Sequence, residues 1–201
     1  MTHILRRCIA LMISVLALTA CRQHYGANEY TETNAIPLSE QSIYNLQDTF
    51  YTQDNKPLQL SSLRGKPVVL SMIFTNCRFA CPRMTNNMKT IEEKIDSTSP
   101  DKVHYVLISF DSELDTPERL KEFANQHGLG DNWILLHGSD EAVSKLSVVL
   151  DVKYEKLGTG AFEHSNKKIL LDDAGVIAYS EEGLENHAEN IINQINKLTQ
   201  R

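Results

Sequence analysis

Residues 68–84 read VVLSMIFTNCRFACPRM, and the rest of the chain is organised around them. The stretch begins with an apolar run of strand length and continues into two cysteines, Cys77 and Cys81, followed by a proline. From Met84 onward, apolar residues recur at helical spacing. The pattern predicts a buried strand, a turn and a helix, with both thiols at the strand-to-helix turn.

Composition limits the classes of protein to which the chain can belong. It has 201 residues, of which 41% are hydrophobic and 23% charged, as in one globular domain with a sizeable core. The net charge is −6. Because no basic stripe is present to neutralise phosphates, we expect no nucleic-acid partner.

The N-terminus has the features of a secretory signal. Arg6 and Arg7 precede an apolar run over residues 8–18, which is too short to span a bilayer comfortably. The run ends in LTAC, residues 18–21, which resembles the lipobox of bacterial lipoproteins. The interpretation is cleavage before Cys21 and acylation of its thiol. The alternative is an ordinary signal peptide or an uncleaved anchor with an incidental cysteine.

This interpretation divides the chain into three parts. Residues 1–20 are predicted to be a lipoprotein signal peptide, residues 21–40 a flexible polar tether, and residues 41–201 the folded domain. The predicted location is extracytoplasmic, on the periplasmic face of a bacterial membrane, where the lipid would anchor the chain.

The cysteine count then isolates one pair of thiols. Cys8 leaves with the signal and Cys21 carries lipid, so Cys77 and Cys81 are the cysteines of the folded domain, in an oxidising compartment. A disulfide between them would close too short a loop to stabilise much. A helix N-terminus and nearby arginines favour thiolate. A structural disulfide, a redox pair and a site for a soft metal such as copper(I) all remain open.

Hydrophobic periodicity predicts an α/β domain with helices covering a mixed sheet. A hairpin is expected between residues 42 and 60, before the central strand. Residues 153–163, with two glycines, are predicted to form a mobile loop. Thr116 and Ser139 are predicted helix N-caps, and the second of these helices is expected to turn Val149 inward.

A metal site would need a third ligand in addition to the two thiolates. The candidate histidines are His104, His127, His137, His164 and His187. His164 differs from the others because it follows the glycine-containing loop and precedes a strand, so that it could converge on the sheet edge that carries the cysteines. Met84 and Met88 could also suggest copper, but their helical spacing favours core packing.

Several motifs together resemble the Sco/SenC family, copper-handling proteins of cytochrome oxidase assembly. Cys77-x-x-x-Cys81-Pro82 follows an apolar strand that ends in Phe74-Thr75, as in the family signature. SFDSELDTP, residues 109–117, resembles its S-x-D-P-x-x-D-T-P segment. The stretches at residues 133–154 and 163–175 resemble its W-x-x-L-T-G and histidine segments, in the same order.

The resemblance implies a thioredoxin-like fold with an N-terminal hairpin extension and copper, as Cu(I) or Cu(II), bound by Cys77, Cys81 and His164. It also implies that Asp111 lies close to the site; the alternative for Asp111 is a loop or helix-capping carboxylate. The implied partners are a cuproenzyme, such as a cytochrome oxidase subunit with a binuclear copper centre, and a protein that reduces the thiols. The chain departs from the family at residues 78–80, Arg-Phe-Ala, where a Pro-Asp step is common, and at Ser112, where the family has proline.

A thiol-disulfide oxidoreductase acting through Cys77 and Cys81 is the main alternative, and it would make the chain an enzyme rather than a metallochaperone. Such proteins usually have two residues between their cysteines and a later cis-proline, whereas this chain has three and no proline after Pro117. A peroxiredoxin would need threonine where Phe74 stands. A lipid-anchored binding module without catalysis is the remaining alternative.

Overall fold

A computed structural model describes residues 38–96, 101–158, 160–185 and 187–200. The predicted signal peptide, the lipidated Cys21 and nearly all of the predicted tether lie outside these residues and stay predictions. Among the helices of the described part, none combines the length and the apolar character that a membrane span requires.

The described residues form strands and helices that mostly alternate along the chain. The strands are β1 (Thr49–Thr52), β2 (Pro57–Gln59), β3 (Val68–Ile73), β4 (His104–Ser109), β5 (Trp133–His137), β6 (Tyr154–Lys156), β7 (Phe162–His164), β8 (Lys167–Leu171) and β9 (Ile177–Glu182). The helices are α1 (Ala80–Asp96), α2 (Pro117–Gln126), α3 (Asp140–Val149) and α4 (Ala188–Thr199).

Seven of the strands make one mixed sheet, in the order β2-β1-β5-β4-β3-β8-β9. Strands β3, β4 and β5 are parallel, and the remaining neighbours are antiparallel. Strands β1 and β2 are the expected N-terminal hairpin, and they extend the sheet beyond β5. This confirms the predicted thioredoxin-like architecture, a central mixed sheet flanked by helices.

The core lies around β3 and α1, as the opening stretch predicts. All six residues of β3 are buried, which explains why it reads as a continuous apolar run rather than an alternating one. Met84 and Met88 are fully buried on α1, together with Ile91 and Ile95. Core packing therefore accounts for both methionines.

The predicted helix caps are confirmed, and one inward position is wrong. Thr116 Oγ1 accepts from the Arg119 N–H at 3.4 Å and Ser139 Oγ from the Ala142 N–H at 3.2 Å. Val149 is 42% exposed rather than buried. The reason is that α3 ends at Val149, and the buried Leu150 covers the core after it.

The predicted mobile loop at residues 153–163 is instead mostly a hairpin. Strands β6 and β7 pair antiparallel as a separate two-stranded sheet, with Tyr154 opposite His164 and Lys156 opposite Phe162. Each strand has only three residues, and the glycines lie in the connection between them. The prediction was wrong because the glycines mark a turn between two short strands and not a loop.

A turn at the start of the domain covers the sheet edge farthest from the cysteines. Ser42 Oγ donates to the Ala174 carbonyl at 2.5 Å, and the Ile43 N–H donates to the Gly175 carbonyl at 3.0 Å. The ring of Tyr44 packs so closely on Gly175 (φ +79°) that a Cβ there would lie 2.6 Å from it. Only glycine fits this contact.

Candidate metal centre

Four segments converge at the sheet edge where the parallel strands end. The turn after β3 carries Cys77, and the loop after β4 carries Asp111 and Asp115. Strand β8 runs antiparallel to β3, and its first residues pair with the last residues of β3. The hairpin that immediately precedes β8 therefore reaches the same edge and brings His164 to the cysteines.

The two cysteines occupy the turn and the first turn of α1, as predicted. Cys81 is completely buried, and Cys77 is half-buried. The Cys81 N–H points at the Cys77 sulfur at 3.3 Å, and the Cys77 N–H donates to the Phe74 carbonyl at 3.2 Å. Both are free thiols, so the structure shows the reduced pair.

Hydrogen bonds make the two thiols chemically unequal. The pKa of Cys77 lies well below its ordinary value, chiefly because of the hydrogen bond with the Cys81 thiol. Hydrogen bonds with His164 and with the N–H groups of Cys81 and Phe79 lower this pKa further, whereas burial raises it. The same Cys77–Cys81 hydrogen bond, together with burial, raises the pKa of Cys81. These opposite pKa shifts favour the thiolate form at the half-buried Cys77 sulfur and the thiol form at the buried Cys81 sulfur.

His164 is oriented by its own backbone neighbourhood. Its Nδ1 lies 3.0 Å from the Ser165 carbonyl, which can only accept, so Nδ1 carries a proton and Nε2 is left for the contact with Cys77. Burial lowers the pKa of His164, but hydrogen bonds with Cys77 and with the Ser165 carbonyl outweigh burial and raise it overall. The rings of Phe74 and Phe110 pack on the imidazole, with centroids 5.8 and 5.0 Å away.

Asp115 holds the cysteine turn to the loop after β4. This fully buried carboxylate accepts from the Thr75 N–H at 2.8 Å, the Thr75 hydroxyl at 2.5 Å and the Ser109 hydroxyl at 2.5 Å. Sequence reasoning did not identify this role. The only signal was that Asp115 precedes the Thr-Pro helix start, which says nothing of a contact 40 residues away.

Asp111 is buried in the same loop but is not part of the thiol–imidazole group. One of its oxygens lies 3.8 Å from the Lys156 amine, and the other has no hydrogen-bond partner in the described structure. Burial is the main cause that raises its pKa, followed by the charge of Asp115. The predicted position of Asp111 beside a bound metal stays a prediction. Its ion-pair partner, Lys156, lies on the hairpin that carries His164 and not beside the sulfurs.

The arginines near the cysteines have different surroundings. Arg83, expected to add positive charge beside the thiols, donates its Nε–H to the Leu184 carbonyl at 3.1 Å and so helps to hold the loop before α4. Arg78 and Phe79 lie on the surface, and Phe79 is 69% exposed. The thiolate is therefore stabilised chiefly by hydrogen bonds from its immediate neighbours.

Cys77, Cys81 and His164 form the one group in the described ranges whose geometry could hold a metal ion. Their ligand atoms all lie within 4.8 Å of one another. Two sulfurs and one imidazole nitrogen are a soft donor set, suited to copper and not to magnesium or calcium. The residues fit copper because the Ser165 carbonyl occupies Nδ1 and leaves Nε2 as the candidate ligand nitrogen, and because both sulfurs are reduced.

The remaining histidines are used in other ways. His127 packs on Phe123 with ring centroids 4.2 Å apart, and His187 contacts Glu185 at 2.9 Å. His104 begins β4 at the opposite edge of the sheet, and His137 ends β5. None of them joins the metal-ligand group found in the described ranges.

Two surface pockets differ in their relevance to the site. A pocket of about 380 Å³ opens beside His164 and is lined in part by Glu155, Glu163 and Glu182. A somewhat larger pocket of about 430 Å³ lies at the opposite edge and has no cysteine or histidine in its described lining. The pocket beside His164 is therefore the one next to the candidate metal centre, although it is the smaller of the two.

Comparison with known sequences agrees with this geometry. The model of the SCO1/SenC family matches residues 39–200. A protein of Bacillus subtilis (strain 168), described as a SCO1 protein homolog, is 39% identical over 95 residues, which are 47% of this chain and 49% of that protein. A protein of Stutzerimonas stutzeri, described as copper-binding, is 27% identical over 127 residues, 61% of each chain. The matches thus span less than two thirds of these relatives.

Solved structures give the same result over more of the chain. A SCO1/SenC family lipoprotein from Bacillus anthracis str. Ames has a TM-score of 0.70 and 34% identity, and the match covers 75% of this chain and 92% of that one. BsSco, described as a member of the Sco family of cytochrome c oxidase assembly proteins with a disulfide switch, has a TM-score of 0.68 and 29% identity, covering 76% and 91%.

Proposed function

The chain belongs to the SCO1/SenC family, and we propose that it is a copper chaperone that binds one copper ion through Cys77, Cys81 and His164. In this proposal it delivers the copper to a cuproenzyme, a cytochrome c oxidase subunit. The observation that carries the proposal is the approach of the three ligand atoms to within 4.8 Å of one another. The copper-binding description of one relative and the assembly role of BsSco support it.

The arrangement suits an ion that is carried and released. Thiolates favour copper(I), and an imidazole is also a good ligand for copper(II), so the set can accept either oxidation state. Cys81 is fully buried, whereas Cys77 and His164 are half-buried. A ligand from a partner would therefore reach a bound ion from the side of Cys77 and His164, and Cys81 would supply its thiolate from the buried side.

The proposed location is the periplasmic face of a bacterial membrane, through a lipid on Cys21. The LTAC motif supports this proposal, as does the description of a structural neighbour as a lipoprotein. In an oxidising compartment the thiols need a protein reductant before they can bind copper(I). Mass spectrometry of the mature chain tests the anchor, and a free, unmodified N-terminus after cleavage would contradict it.

Copper titration of the reduced protein tests the proposed function. We expect one Cu(I) per chain, and a Cu(II) complex with sulfur-to-copper charge-transfer absorption and a defined EPR spectrum. The Cys77→Ser/Cys81→Ser double variant should lose both, because no thiolate remains, whereas His187→Ala should behave as the wild type. A wild-type stoichiometry near zero would remove the copper proposal.

A thiol-disulfide oxidoreductase is the second candidate, favoured by the unequal thiols. The Cys77 thiolate would attack a substrate disulfide and release one substrate thiolate, forming a mixed disulfide. Cys81, after losing its proton, would then attack the Cys77 sulfur, which releases the second substrate thiolate and leaves a Cys77–Cys81 disulfide. Turnover needs an external dithiol reductant. Reduction of insulin or of a target peptide at a rate above that of the double variant would support this function.

A further inference from the structure

The hairpin that carries His164 has two different faces. Cross-strand partners share a face and neighbours along a strand alternate, so Tyr154, Lys156, Phe162 and His164 lie on one side. Glu155 and Glu163 lie on the other side, and both are exposed. The first side packs on the body of the domain, which makes Lys156 a cation on an otherwise aromatic inner face.

Aromatic contacts supply most of the packing between hairpin and body. The ring of Phe162 lies 5.1 Å from that of Phe74 and 5.0 Å from that of Phe110, and Tyr154 stacks on Phe110 at 5.2 Å. Such contacts are favourable over a range of offsets and tilts. They hold the hairpin against the body without fixing its exact placement.

Lys156 adds a directional contact. Its Nζ lies 2.6 Å from Glu113 Oε2 and 3.8 Å from Asp111 Oδ1, both in the loop after β4. The same amine lies 5.8 Å from the centre of the Phe162 ring. An ammonium group between two carboxylates permits far fewer positions of β6 than ring packing does.

The burial of Asp111 distinguishes this contact from an ion pair in which both partners are exposed. Its side chain is 1% exposed, and Lys156 is the one cation found within ion-pair distance of it in the described structure. Exposed pairs contribute little, but removal of the partner of a buried carboxylate leaves that charge uncompensated. The Lys156–Asp111–Glu113 contact, hereafter the hairpin latch, therefore combines an exposed and a buried acceptor.

We propose that Lys156 is a positioning residue: through the hairpin latch it holds β6 and β7 in the placement that presents His164 to Cys77. Lys156 lies one cross-strand pair away from His164 on the same face of the hairpin. Without the Lys156 amine, the hairpin would still carry His164, but the imidazole would sample several positions relative to Cys77. The copper part of this proposal rests on the proposed function, whereas the placement of the hairpin does not.

The test compares three variants of the full chain. Lys156→Met removes the ammonium and keeps the apolar stem, Lys156→Arg keeps a cation, and Lys153→Met removes an exposed lysine with no ion pair in the described contacts. In the copper-free protein, we expect Lys156→Met to increase amide exchange of the hairpin roughly fivefold and to broaden the NMR signals of the His164 ring. Lys156→Arg and Lys153→Met should resemble the wild type.

The copper readout uses Cu(II) as the probe. Lys156→Met should give a heterogeneous EPR spectrum and roughly tenfold weaker Cu(II) binding, with Cu(I) stoichiometry unchanged because both thiolates remain. Wild-type exchange and His164 signals in Lys156→Met would overturn the proposal. If Lys156→Met does not fold, Glu113→Gln, at an exposed position, should show the same changes more weakly, and wild-type behaviour there would overturn it. If the wild type binds no copper, the proposed function fails, and the copper-free measurements still decide the role of Lys156.

Discussion

The turn that carries the cysteines, residues 74–81, continues directly from the buried strand β3, whereas the hairpin that carries His164, residues 154–164, lies outside the main sheet. Cys81 is fully buried on a helix of the core, and two hydrogen bonds from Thr75 to Asp115 hold the turn that precedes it. His164 is half-buried on a two-stranded sheet, held by ring packing and by the hairpin latch.

The difference shows that one site can combine a fixed part, the cysteine turn, with an adjustable part, the hairpin that carries His164. A change in the cysteine turn disturbs the core and should alter the stability of the whole domain. A change in the hairpin should alter the placement of one ligand and leave the core intact, because local stability varies across a structure. A measurement of global stability therefore reports on the cysteine turn, and a measurement of ligand geometry reports on the hairpin.

Asp115→Ala should show the largest effect and tests the fixed part. Two donors of the half-buried Thr75 and one of the buried Ser109 lose their acceptor, so we expect the free energy of unfolding to fall by about 3 kcal/mol. Urea denaturation measures this. Asp131→Ala, at an exposed loop position, is the control. A loss no larger than that of the control would mean that the turn is not held by Asp115.

His164→Ala tests the adjustable part. We expect Cu(II) binding to weaken by about a hundredfold, about 2.7 kcal/mol, because the only imidazole of the ligand group is removed. One Cu(I) per chain should still bind, and the urea midpoint should barely change. A variant that lost Cu(I) as well, or that unfolded readily, would show that the two parts are not separable.

Phe162→Leu weakens the ring packing between hairpin and body. Loss of the aromatic contacts with Phe74 and Phe110 should destabilise the hairpin by about 1 kcal/mol. Amide exchange should increase in β6 and β7 and not in β3. Leu157→Ala, at an exposed position of the connecting turn, should have a smaller effect. Equal acceleration in β3 would indicate that the hairpin unfolds only with the core.

Glu155→Lys has the smallest expected effect, and its sign is opposite. Glu155 and Glu163 are directly opposed on the exposed face of the hairpin, where like charges are unfavourable. Replacing the repulsion with attraction should stabilise the hairpin by about 0.5 kcal/mol and slow its amide exchange. Glu155→Gln should fall between the wild type and the lysine variant. Faster exchange in the lysine variant would contradict this account.

The two parts also differ in how well the sequence predicted them. Val68–Ile73 is a strand that is apolar except for Ser71, and the cysteines that follow it could be placed from the strand-to-helix pattern alone. The hairpin was missed because its strands have three residues each and glycines follow the first. The alternation Tyr-Glu-Lys and Phe-Glu-His was the available signal, since it separates an aromatic face from an acidic one.

Contacts between distant parts of the chain were beyond prediction from local pattern. The contacts of Asp115 with Thr75 and of Lys156 with Asp111 join segments that become neighbours only once the sheet has formed. Val149 shows the same limitation, because the helical pattern places it inward while the actual end of α3 leaves it exposed. His164 was placed correctly near the cysteines because the sheet edge at which strands end is itself predictable from the order of elements.

The contact of Ser42 and Ile43 with the β8–β9 turn fixes where the chain enters the domain relative to the candidate metal centre. The chain enters the domain there, at the end of β8 that pairs with the beginning of β3, whereas the cysteines follow the end of β3. The start of the described domain therefore lies at the end of the sheet opposite Cys77, Cys81 and His164. A protein or a solid support coupled ahead of Ser42 would leave the surface around Cys77 and His164 open to a binding partner.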